Sequence, residues 1–532
     1  VILCALLLTL IADSSNPAFP ADESISTDGD WLISHLSAEP STINPITSTD
    51  AYASTINNYI YESLIKRDEK TLELVPALAE SWQISEDHLT YVFHLRKNLR
   101  WQDGHPLTAR DVLFSFERIR DPGVDAAHLR NYYQDIEELE VLDDWTLRYS
   151  YRIPYFKALE LCGQIPIVPA HLFKEGESFD EHPIGRAPVG NGPYRLLRWD
   201  TGREIVLVRN ENYWGVRPHF DRVIFKIITD PSAAFQVLKK GGLDEMTLRP
   251  IQWVRQTQSN RFAANYRKLK YYTPSYSYIG WNLRKPLFSD KRVRRAMTLM
   301  TDRETILNKI LFGLGTVVSG TAYVNSPDYN HSVRPLPYDP FKAAELLAAA
   351  GWKDHDRDGV LERDGAPFHF EFLLPAGSKL GEQVAAILQE GLKEIGVRMD
   401  IRKLEWAVFI QRIDERDFDG CTLAWNLSWD SDPFQLWHSS QAEKGSNFVG
   451  FINEEADRTI ENARREFDPT RRRTMYHRLH EILDEEQPYT FLFTREELSA
   501  VSSRFRNVNV YPMGVAPREW WTPAHLVRYM EP

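Results

Sequence analysis

A chain of 532 residues outgrows a single hydrophobic core, so at least two domains are expected. Hydrophobic residues at 43% and charged residues at 26% are ordinary for a soluble globular protein. A net charge of −12 argues against a nucleic-acid partner, which would need a basic surface.

The first residues, VILCALLLTLIA, are almost wholly apolar and too few to span a bilayer as a helix. They match the apolar stretch of a secretory signal, and the missing initiator Met suggests a truncated charged start. A signal or leader segment is expected over 1–27, in preference to a clipped membrane anchor. The residues before Cys4 lack the small residue expected beside a lipidated cysteine, so lipid anchoring is rejected.

Farther along, Tyr91, Phe93 and Leu95 alternate with Val92, His94 and Arg96, a strand period in a β-prone run. Gln102 to Pro106 is dense turn punctuation. Thr108 precedes Asp111 at capping-box spacing, just before Val112, Leu113 and Phe116, and predicts an amphipathic helix. The run Gly190-Asn191-Gly192-Pro193-Tyr194 reads as a turn.

Aspartate at the N-cap with proline at the first helical position recurs at Asp230-Pro231, Asp339-Pro340 and Asp468-Pro469, and each pair predicts a helix. Gly241-Gly242 and Gly351 close the first two. A fourth amphipathic helix is expected over 383–395, closed by Gly396. Strands are expected at 205–208, 223–228, 368–373, 397–401 and 489–493, so the fold class reads as α/β with mixed sheets.

Cys162 and Cys421 read as two separate buried thiols. No CxxC, HExxH or Cys/His cluster supports a zinc site, and neither a metal nor a cofactor is expected. Asp354-His355-Asp356-Arg357-Asp358-Gly359 imitates the start of a calcium loop, but Gly365 stands where the bidentate glutamate belongs, so a solvated hairpin is expected. Arg471-Arg472-Arg473 reads as a solvated helix face.

Four blocks in order resemble one family. The segment from Ala77 to Phe116 is similar to the signature segment of the family 5 solute-binding proteins, the extracytoplasmic receptors of dipeptide and oligopeptide ABC importers. Gly190 to Tyr194 followed by Asn210-Glu211-Asn212-Tyr213-Trp214-Gly215 resembles its second block, Tyr278 to Leu307 its third, and Tyr338 to Trp352 a fourth. The resemblance implies a two-lobed periplasmic-binding-protein-like fold with a hinge of two crossing strands and a discontinuous first lobe. Lobe I is expected at 28–280, with an extra subdomain at 76–190. Lobe II is expected at 281–495, and 496–532 returns to lobe I with Tyr511, Trp520 and Trp521 packing back. The first crossing is expected on the strand 279–283, and the return just beyond 488–493. Two crossing strands would let the lobes close on a ligand.

The implied ligand is a short peptide. A buried α-amino group needs a carboxylate, and the family places one in the loop that here reads Trp425-Asn426-Leu427-Ser428-Trp429-Asp430-Ser431-Asp432-Pro433. Trp429 occupies the usual position, and Asp430 is the nearest carboxylate, one residue out of register. The alternative is that Asp430 and Asp432 only form an Asx-turn. Trp281, Trp425 and Trp429 are expected as aromatic walls, with core packing as their alternative. Tyr278 and Asn282 are expected to reach the ligand backbone, and Asn426 shares the cleft loop.

No GxSxG elbow or phosphate-binding loop is present, so no enzyme is expected. The expected partners are an ABC permease and separate ATPase subunits, with the protein a periplasmic monomer. Three alternatives stay open. One keeps the fold and binds a metal chelate, haem, a sugar or an opine; another is a secreted peptide hydrolase. A third is a receptor-like subunit feeding a signalling partner.

Overall fold

The computed structural model describes residues 26, 27 and 29–529. The expected leader over 1–27, with Cys4, lies outside the described residues apart from Ser26 and Thr27, which pair antiparallel with Pro523 and Thr522.

Local signals set the elements. Thr108 Oγ1 accepts the Arg110 N–H at 3.3 Å and Asp111 Oδ2 accepts the Thr108 N–H at 2.8 Å, opening the helix Ala109–Arg120. Asp230, Asp339 and Asp468 cap Pro231–Lys239, Pro340–Ala349 and Pro469–Glu486 through first-turn N–H groups. The fourth helix starts earlier than expected and spans Lys379–Glu394, because Ser378 Oγ supplies the cap by accepting from Gly381.

Among the described residues, strands form three main sheets. The eight-stranded sheet runs Tyr266–Tyr272, Phe493–Ser502, Glu245–Thr247, Trp31–Leu36, Arg222–Ile227, Glu204–Arg209, Tyr194–Asp200, with Gly315–Val317 added against Phe493–Ser502. Trp31–Leu36 is parallel to both neighbours and the remaining pairs are antiparallel, so the sheet is mixed. The five-stranded sheet runs Arg398–Leu404, His369–Pro375, Gly420–Asn426, Ser275–Trp281, Tyr489–Phe491. A four-stranded antiparallel sheet, Ala79–Ile84, Thr90–Leu95, Thr146–Tyr151, Ile136–Asp143, packs against the helix Ala109–Arg120.

Two strands carry the chain between the large sheets. It leaves the eight-stranded sheet at Tyr272 and enters the five-stranded sheet at Ser275, then returns from Phe491 to Phe493. The eight-stranded lobe is therefore discontinuous. The first crossing precedes the expected 279–283, because Pro274 offers no N–H to a ladder and ends the pairing. Trp520 is fully buried against Phe505, while Tyr511 donates to Glu519 at the surface and Trp521 pairs its backbone with Arg506.

The Gly190 to Tyr194 run does more than turn. A Cβ on Gly190 would stand 2.0 Å from the Ile60 carbonyl oxygen, and the Gly192 N–H donates to that oxygen at 2.8 Å. Only residues without a side chain allow that approach. Cys162 and Cys421 are free thiols buried in different cores. Asp354, Asp356 and Asp358 each accept a backbone N–H of their own exposed turn. No helix among the described residues is long and apolar enough to cross a membrane.

Candidate ligand-binding site

The four-stranded subdomain faces the five-stranded lobe across a line of polar contacts. Arg67 ends the short strand Ile65–Arg67 and pairs with Glu160 at 3.0 Å and with Asp430 at 3.3 Å. Lys157 Nζ lies 3.3 Å from Glu160 and donates to Ser428 Oγ at 3.1 Å and to the Asp430 carbonyl at 2.7 Å. An ammonium has three donors, so Lys157 has none left over. Burial would raise the Glu160 carboxyl, but Lys157 and Arg67 outweigh it and hold the group below its usual range. Tyr155 and Arg464 both donate to Asp432 Oδ2, at 2.7 and 3.0 Å, with the guanidinium held between the rings of Tyr155 and Phe434. Arg472, expected on a solvated face, lies over Phe156 at 4.2 Å instead.

Behind this seam is a cavity of about 250 Å³. Tyr132, Tyr155, Lys157 and Leu161 line one side, and the loop 425–433 with Tyr323, Asp328, Tyr476 and His480 lines the other. Trp425 is held by stacking on Tyr278 and Phe448. Trp429 meets Tyr323 edge to face at 5.9 Å. These rings form apolar walls that tolerate varied groups.

Charge at the wall is unevenly satisfied. Lys157 and Asp432 are fully engaged by neighbours. The Asp328 carboxylate lines the cavity and has no hydrogen bond or ion pair among the described residues. Burial, and then the charge of Asp430, raise its pKa above the usual value, and the more distant charges of Arg472, Arg473 and His477 offset this only in part. A ligand cation would relieve both effects.

The expected site residues divide into two groups. Trp425, Asn426 and Trp429 line the cavity. Tyr278, Trp281 and Asn282 do not, with relative exposures of 1%, 0% and 0%. Tyr278 stacks on Tyr489 at 3.9 Å, one layer behind the wall. Trp281 donates to Thr490 in the lobe core, and Asn282 donates to the carbonyls of Arg416 and Phe418. Tyr278 and Trp281 point to opposite faces of the strand Ser275–Trp281, and a hydrophobic core covers each face; Asn282 follows the strand. Asp430 is not among the residues lining the cavity and pairs with Arg67 across the lobes at 3.3 Å. Asp432 forms the Asx-turn, accepting the Phe434 N–H at 3.0 Å. Sequence reasoning missed Asp328, since Pro327-Asp328-Tyr329-Asn330 carries only a turn signal.

His480 closes the back of the cavity. Its Nδ1 accepts the Asn330 N–H at 3.3 Å, and its Nε2 lies 3.0 Å from Ser319 Oγ. Burial pulls its pKa from 6.5 down to about 4. The folded state then keeps the ring neutral where the unfolded chain takes up a proton. Stability is full above pH 6.5 and falls as pH drops towards 4, by about 3 kcal/mol from this group. Urea midpoints measured across that window should fall in the native protein and fall less in His480→Gln; parallel curves would remove His480 as the cause.

The family model described as "Bacterial extracellular solute-binding proteins, family 5 Middle" matches residues 73–447. The chain is 31% identical over 513 residues to the oligopeptide-binding protein AppA of Bacillus subtilis (strain 168), covering 93% of this chain and 91% of that one. A solved structure of AppA from Bacillus subtilis in complex with a nonapeptide superposes with a TM-score of 0.82 at 29% identity, covering 94% of this chain and 100% of the other. NikZ from Campylobacter jejuni in complex with Ni(L-His) superposes with a TM-score of 0.78 at 27% identity, covering 93% and 99%.

Proposed function

The chain belongs to family 5 of the bacterial extracellular solute-binding proteins, and on that premise we propose that it captures a short peptide between its lobes and delivers it unaltered to an ABC permease. In this reading the protein is exported, works outside the cytoplasmic membrane and has no catalytic step. One observation carries the peptide assignment: an interlobe cavity with aromatic walls and one carboxylate, Asp328, that makes no direct hydrogen bond or ion pair among the described residues. The α-amino group of a peptide is the cation that carboxylate suits. The cavity, at about 250 Å³, is smaller than the roughly 300–1,000 Å³ of drug-sized sites, which favours a short peptide. The interlobe contacts of Arg67, Lys157 and Arg464 would form as the lobes close.

A thermal-shift panel of dipeptides, tripeptides and a nonapeptide, with Ni(L-His), haem and sugars beside them, tests this. Saturation at 1,000 times Kd adds roughly 4 kcal/mol, so a true ligand gives a clear rise in Tm. The expected result is stabilisation by di- or tripeptides, recovered intact by mass spectrometry. A response only to a non-peptide solute would move the cargo to another class, and cleaved peptide would overturn the binding-protein reading.

A further inference from the structure

We propose that Asp103, His105 and His171 form a surface site for a divalent transition-metal ion, separate from the interlobe cavity. Asp103 and His105 share the turn 101–106, but His171, in the single 3₁₀ turn Ala170–Leu172, is 68 positions from Asp103, so no compact ligand motif exists to be read. Folding brings them together. Asp103 Oδ2 lies 2.6 Å from His171 Nε2, and Asp103 Oδ1 lies 3.3 Å from His105 Nδ1. The two imidazoles face each other, centroids 4.0 Å apart and planes within 22°. The three donor atoms all lie within 4.8 Å of one another.

Both supports are held in place. The Trp101 N–H donates to the His105 carbonyl at 2.8 Å, and the Gly104 N–H donates to the Trp101 carbonyl at 2.9 Å. Gly104 has a φ of +92°, which favours glycine. On the other side the Ala170 N–H donates to Asp111 Oδ1 at 3.0 Å, while Asp111 Oδ2 completes the capping box of Ala109–Arg120. The capping aspartate therefore also places His171 beside the turn. Trp101 and Leu107 anchor the turn in the core.

Two imidazole nitrogens and one carboxylate oxygen suit zinc, nickel or copper, whereas calcium and magnesium prefer all-oxygen sets. Bonds of about 2.0–2.2 Å would replace the His171–Asp103 hydrogen bond. The His105 side chain is 59% exposed, and its Nδ1 already lies beside Asp103. Water would fill the open positions, because all three residues face solvent. The bound ion would tie the turn to the 3₁₀ segment. The other acidic group, Asp354, Asp356 and Glu362, already accepts backbone N–H groups and lacks a nitrogen donor.

Titration of the untagged, metal-stripped full chain with Cu²⁺ and Zn²⁺ by calorimetry tests the site. One ion per chain is expected, with a Cu²⁺ EPR spectrum showing coupling to two imidazole nitrogens. His171→Ala and His105→Ala should each weaken binding at least about tenfold and reduce the coupling to one nitrogen. Both side chains are on the surface, so urea midpoints without metal should match the native protein. Absence of saturable uptake of either ion, or uptake unchanged in both variants, would overturn the proposal.

Discussion

Asp328→Asn is expected to weaken binding of a peptide with a free amino terminus by about 10–150-fold, the equivalent of one charge-assisted hydrogen bond of about 1.5–3 kcal/mol. The same change should leave an N-acetylated peptide almost unaffected. The basis is that the other charged groups of the wall are engaged: Lys157 has no spare donor, and Asp432 holds Tyr155 and Arg464. Asparagine keeps the shape and removes the charge. Because burial and Asp430 raise the Asp328 pKa, a bound ammonium would lower it again, and native affinity should fall as pH drops into the carboxylate range. Calorimetry with paired free and acetylated peptides decides the matter. Equal losses for both peptides, or no loss, would show that the amino group docks elsewhere.

Arg504→Met should lower the unfolding free energy by about 3–5 kcal/mol, the range for breaking a buried ion pair from one side. Arg504 is 3% exposed, and its partners Asp30 and Asp244 are 0% and 2% exposed. Arg504 donates from Nε to Asp244 at 3.0 Å and from Nη2 to Asp244 and to the Trp31 carbonyl, both at 2.7 Å, and it also contacts Asp30. Burial raises the Asp244 pKa, and Arg504 works against that. Methionine would leave Asp30 in the core without its cation and Asp244 with only Arg528, 3.9 Å away. The cluster joins the start of the strand Trp31–Leu36, the residue before Glu245–Thr247 and the C-terminal return, so it fastens the separate pieces of the discontinuous lobe. Urea unfolding reads the effect directly. A loss under about 1 kcal/mol would mean that water reaches the vacated site and the carboxylates are not trapped.

Much of the fold was legible because its causes are local. Capping oxygens, helix-opening prolines and alternating strands act over a few residues, and each aspartate–proline pair opened a helix where the sequence placed it. Where boundaries moved, another local group acted: Ser378 capped a helix early, and Pro274 broke a strand early. The site was less legible. Trp425, Asn426 and Trp429 sit where a strand gives way to a loop, a place that the pattern marks. Tyr278 and Trp281 belong to the neighbouring strand and Asn282 follows it, and residue alternation does not say which face meets a cavity and which meets a core.

By itself the sequence determined the class of fold, the family and most of the elements, because periodicity, capping and turn chemistry depend on residues close along the chain. Only the tertiary structure decided what each charge does. Asp430 meets Arg67 from 363 positions away, Asp328 is left without a direct ion pair among the described residues, and Asp103 and His171 meet across 68 positions. A carboxylate's role depends on what stands opposite it within a few ångströms, and that distance is set by how the lobes and loops pack.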